Sequence, residues 1–74
     1  MAISDTTFDV ITALQSKLEA VAVYETYIED FEDAGDAHGK QLFEELRADD
    51  ERHAERLAGE LERLIRDGKF RMAA

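Results

Sequence analysis

LRADDERHAERL, residues 46–57, interrupts a leucine stripe. Leucines recur at helical spacing on either side of it, at Leu42, Leu46, Leu57, Leu61 and Leu64. The two places where the stripe should pass between Leu46 and Leu57 are held by Asp50 and His53. Residues three apart share one face of a helix. A carboxylate on a face intended for burial is costly unless it is paired, hydrogen-bonded or bound to a metal. A carboxylate and an imidazole are also ligands that suit iron, manganese and zinc. The stretch therefore reads as one helix carrying a polar layer, and the layer is either an ion-pair cluster or a metal site.

Helical periodicity extends outward in both directions. In the first half Ile11, Leu14, Leu18, Val21 and Ile28 keep a heptad-like spacing, flanked by Val10, Tyr24 and Phe31. Thr6 with Asp9 three residues on makes a capping box, with Ser4 and Asp5 as rival caps. Gly35 suits the position after a helix, and Asp36 the cap of the next. The spacing predicts a helix over about residues 6–33, a turn at 34–36, a second helix over about 37–67 ended by Gly68, and a short tail, 68–74, docked by Phe70 or frayed. Arg63 and Arg66 suit the second helix dipole, whereas Glu29, Asp30, Glu32 and Asp33 crowd the negative end of the first. That end must fray or draw basic groups from elsewhere. Two helices of this length joined by so short a turn form an antiparallel hairpin. Their wide apolar stripes cannot cover each other, so the expected fold is all-α, a hairpin that dimerises into a four-helix bundle.

Seventy-four residues make one small domain, and the absence of cysteine removes disulfides and thiolate metal sites. Stability is then expected from a homodimer or larger homo-oligomer, or from a ligand. The net charge of −9 argues against nucleic acid and against an anionic membrane surface. Residues 1–36 hold nine acids and one base, Lys17, while residues 37–74 hold nine acids and eight bases. The first helix is therefore an acidic surface that solubilises the chain or meets metal ions or a basic protein partner. No run of 18 apolar residues and no basic leader stand in the sequence, which gives a cytoplasmic expectation.

The stretches KLEAVAVYETYIEDF and LFEELRADDERHAERLAGEL together resemble the ferritin-like superfamily, most nearly rubrerythrins, bacterioferritins and the half-length ferritins stored inside encapsulin shells. The resemblance spans about residues 8–66. It implies a subunit equal to half a ferritin, pairing to complete the bundle, binding iron at the dimer interface and oxidising it in a ferroxidase-like reaction. Residue by residue, it implies Asp50 and His53 as metal ligands and Tyr24 as a hydrogen-bond donor behind them. Manganese and zinc fit the same donors. No shell-targeting peptide is evident.

The chain departs from that pattern at Lys17. It stands seven residues before Tyr24, where the family places a ligand glutamate. Glu19 and Glu25 point elsewhere or belong to another layer, and Tyr27 reads as core packing. In a two-fold dimer, two Asp50 carboxylates and two Lys17 ammonium groups cancel without any metal. The two function expectations are a small ferritin-like protein of iron handling and a metal-free helical scaffold or interaction protein with an Asp50/His53/Lys17 cluster.

Overall fold

The computed structural model describes residues 2–71. Two long helices, α1 (Asp5–Asp33) and α2 (Ala37–Arg66), make up most of it. They pack side by side in a body 55 Å long and 17 by 14 Å across. Two-residue strands β1 (Ala2–Ile3) and β2 (Phe70–Arg71) pair antiparallel, Ala2 with Arg71 and Ile3 with Phe70. This small ladder was not expected from the sequence. It accounts for the start of the tail, whose residues 72–74 lie outside the described ones. No helix among the described residues is long and apolar enough to cross a membrane.

The helix ends are set by side chains and glycines. Ser4, one of the rival caps, begins α1, its hydroxyl accepting from Thr7 N at 3.2 Å. At the turn, Asp36 N donates to Phe31 O at 2.9 Å and Gly35 N to Glu32 O at 3.0 Å. That double closure needs a left-handed residue, and Gly35 supplies it at φ 69°. Asp36 then caps α2 by accepting from Gly39 N at 3.0 Å. The acidic end of α1 stays helical to Asp33, and a base does come to it: Lys40 Nζ lies 3.6 Å from Glu32 Oε2.

The seam on α1 runs through Thr7, Val10, Leu14, Lys17, Val21, Tyr24, Ile28 and Phe31, all buried or half-buried and spaced by alternating threes and fours. That is the heptad rhythm of two packed helices. The seam on α2 runs through Gly39, Phe43, Leu46, Asp50, Ala54, Leu57, Leu61 and Leu64. Here two steps of four follow each other, from Leu46 to Asp50 and from Asp50 to Ala54. Such a doubled step shifts the phase of the stripe by one position. Ala54, 7% exposed, therefore occupies the inner place expected for His53, which lies beside the seam.

Toward the turn, Phe43 is the centre of an aromatic cluster. Its ring centroid lies 5.6 Å from Tyr24, 5.3 Å from Tyr27 and 5.4 Å from Phe31. These separations are in the range where aromatic pairs attract beyond their area burial. Gly39 is buried beneath Phe31, and a Cβ there would overlap the ring.

At the open end the chain termini are tied together. Thr7 is fully buried, and its hydroxyl donates to Lys69 O at 3.0 Å. The same carbonyl accepts from Ser4 N at 3.3 Å. Lys69 is placed by the end of α2, where its N–H donates to Leu64 O at 2.9 Å beside Gly68 at φ 75°. Apolar side chains remain on the outside, with Phe8 61%, Leu18 54% and Ile65 48% exposed.

Candidate functional site

The polar layer sits close to halfway along both helices. Lys17 is two residues from the middle of α1, and Asp50 is within two of the middle of α2. Lys17 occupies a seam position, so its stem packs among apolar neighbours while the ammonium reaches across. Its Nζ lies 3.1 Å from Asp50 Oδ1. Asp50 is largely enclosed, with 14% of its side chain exposed, against 37% for Lys17. His53 Nδ1 approaches the same Oδ1 at 3.3 Å from the solvent side, with 47% of its side chain exposed. One carboxylate oxygen thus serves two nitrogen groups, one from each helix.

This geometry sets the electrostatics. The hydrogen bond from Lys17 holds the Asp50 carboxyl below its ordinary value. Partial desolvation opposes the effect, and the Lys17 charge and His53 reinforce it. Asp50 is accordingly an acceptor near neutral pH, already paired with a cation that no metal or substrate supplies.

Tyr24 stands one heptad nearer the turn, held by Phe43 and by Tyr27 at 6.2 Å. Among the described residues, the hydrogen-bond partners of Asp50 are Lys17 and His53, and Tyr24 is not one of them. Tyr27, read from sequence as packing, does pack on Phe43, although 41% of it remains exposed.

Among the described residues no three His, Cys, Asp or Glu side chains gather closely enough to hold a metal ion. One chain brings together a carboxylate, an imidazole and an ammonium group. That donor set does not fit a two-metal carboxylate centre within one chain. In the single chain Lys17 and His53 both engage Asp50 Oδ1. A shallow open groove on the flank of α2, lined by His53, Arg56, Gly59 and Arg63, also lacks converging donors. Arg63 there is engaged by Glu60 and, at 3.0 Å, by Asp67.

Two features of the fold around the site were hidden in the sequence. Ala54 took the inner position because the α2 stripe changes phase at Asp50, a shift readable only by following Leu46, Asp50, Ala54 and Leu57 as one line. The Thr7–Lys69 tie joins residues 62 apart and leaves no local signature. No protein-family model, curated protein or solved structure matches the chain.

Proposed function

We propose that this hairpin is a helical interaction module whose central polar layer is an ion pair standing where ferritin-like proteins place a metal centre. The observation that carries the reading is the 3.1 Å contact between Lys17 Nζ and Asp50 Oδ1. It satisfies a largely enclosed carboxylate with a cation from the facing helix, and it neutralises the charge that would otherwise recruit a metal. Such a layer adds little net stability. It instead fixes which positions of the two helices face each other, because any slip would leave Asp50 enclosed without the Lys17 cation.

The test is metal analysis of protein from iron-supplemented cells, together with calorimetric titration by ferrous iron, manganese and zinc. The expected result is no stoichiometric metal in the parent and tighter binding in Lys17→Glu. Stoichiometric iron in the parent would overturn the ion-pair reading.

A second reading has its own observation. Asp50 Oδ1 and His53 Nδ1, one helical turn apart, already converge to 3.3 Å. Two such pairs from two chains would offer two carboxylates and two imidazoles to a single divalent ion. On that reading the small ferritin-like protein of iron handling keeps one ion per two chains. The same titration separates the two readings by its stoichiometry.

A further inference from the structure

We propose that the outer face of α2 is the docking site for an acidic helix of a partner protein, seated on Gly59 and held by the arginines on either side of it. The proposal rests on the interaction-module reading and names its face and the chemistry of its partner.

Arg52, Arg56, Gly59, Arg63 and Arg66 follow one another in steps of four, three, four and three. On a helix such positions fall within about 80° of arc and run about 21 Å along the axis. All five are exposed. The seam residues Ala54, Leu57, Leu61 and Leu64 lie more than about 100° around α2 from the centre of this stripe, so α1 does not cover it. A groove runs beside the stripe, lined by Gly59, three of the arginines and half-buried Leu57.

Gly59 singles out this face. The other three glycines serve the hairpin itself: Gly35 and Gly68 take positive φ, and Gly39 makes room for the Phe31 ring. Gly59 is helical, seven residues before the end of α2, and a Cβ added there would meet nothing within 4 Å. Glycine inside a helix is unfavourable relative to alanine, and no packing within the hairpin repays it here. What a bare position does provide is close approach of another backbone.

Charge selects the occupant. Residues 21–51 hold eleven acids and two bases, which is −9. Residues 1–20 hold three acids and one base, −2, and residues 52–74 four acids and six bases, +2. The stripe is the basic pole of an acidic molecule, and its neighbouring acids, such as Glu60 at the groove, lie beside it. Arg52 is engaged by Asp49, and Arg63 by Glu60 and Asp67. Arg56 and Arg66 make no ion pair among the described residues. Exposed pairs within one helix hold weakly, so carboxylates from outside can exchange with them. A guanidinium receives a carboxylate through two parallel hydrogen bonds. The three-and-four rhythm matches glutamates set at the same rhythm on a facing helix. The net charge of −9 disfavours nucleic acid in that place.

The test is fluorescence anisotropy with three labelled probes. These are an alanine-based helical peptide with glutamates in the three-and-four rhythm, a scrambled peptide of the same composition, and inorganic polyphosphate. The expected result is saturable binding of the patterned peptide by the parent, weakened by salt, with the scrambled peptide at least tenfold weaker. Arg56→Gln with Arg66→Gln should weaken binding tenfold or more. Gly59→Gln should do the same while melting no lower than the parent, since it adds a good helix former in open space. Binding unchanged by both variants, or no saturable binding of the patterned peptide, would overturn the site, and a lowered Tm in Gly59→Gln would overturn the role given to Gly59. Polyphosphate bound as tightly as the peptide would overturn the helical partner in favour of a general anion site. Self-association of the parent that the arginine variants abolish would give the face to a second copy and overturn the separate partner. Stoichiometric iron in a parent that still binds the peptide removes the ion-pair reading and leaves this proposal standing. A metal-free parent that ignores the peptide does the reverse.

Discussion

Gly39→Ala is expected to destabilise the hairpin, although helix propensity favours the substitution. Gly39 is the third residue of α2, where alanine gains at most about 1 kcal/mol. The added methyl would overlap the Phe31 ring, including its Cγ, so the whole ring must move and not only its far edge. It has little room, because Phe43 lies 5.4 Å away at a 30° tilt and is held in turn by Tyr24 and Tyr27. Overpacking of this kind costs about 1–3 kcal/mol. The net loss is then about 1–2 kcal/mol, or roughly 5–15 °C in Tm for a domain of this size. The assay is thermal melting by circular dichroism at one fixed chain concentration, since association would shift the midpoint. Phe31→Leu in the same background removes the obstacle, so the double variant should be more stable than the sum of the single losses by at least about 0.5 kcal/mol. An unchanged or raised Tm in Gly39→Ala, or strict additivity in the pair, would refute the packing argument.

Three further outcomes follow from the same contacts. Thr7→Val keeps the shape but removes the hydroxyl that donates to Lys69 O, and should lower stability by about 0.5–1.5 kcal/mol, with faster amide exchange at the open end. Asp36→Ala removes the acceptor for Gly39 N and should cost about 1 kcal/mol, read as a lower Tm and fraying of the first turn of α2. Acid should separate the parent from Lys17→Met. The Asp50 pKa is lowered on folding, so its stabilisation is complete above the ordinary carboxylate value and is lost as pH falls through the folded value. With Lys17 gone, desolvation is opposed only by His53. The Tm drop between about pH 6 and about pH 3 should therefore be smaller in Lys17→Met than in the parent, and an equal drop would sink the assignment of Lys17 as the partner.

The elements themselves were legible because their punctuation is local. Ser4, Gly35, Asp36 and Gly68 each act on backbone groups within a few residues, and the helices end within a residue of the expected bounds. The meeting of Lys17 and Asp50 was also expected, Asp50 from its break in the leucine stripe and Lys17 from the resemblance that sets it where a ligand glutamate would stand. His53 was harder. A strict three-and-four rhythm carries the stripe from Asp50 to position 53, and only the doubled step of four moves it to Ala54. The β1–β2 pairing depends on chain ends brought together by the whole hairpin, so two residues at each end could not announce it.

The tie at the open end also determines how the hairpin answers a pulling force. Residues 2 and 71 leave the same end as neighbours in an antiparallel ladder. A load applied between them opens the pairs one at a time, Ala2 with Arg71 first, then Ile3 with Phe70, then the bonds onto Lys69 O. Beyond these the helices part from the seam like a zipper, with no step that shears many bonds at once. The first polar contact between facing helix side chains that such a tear would meet is Lys17 against Asp50. The hairpin should therefore yield at low force from the terminal end, with its midpoint layer the natural place for the tear to pause.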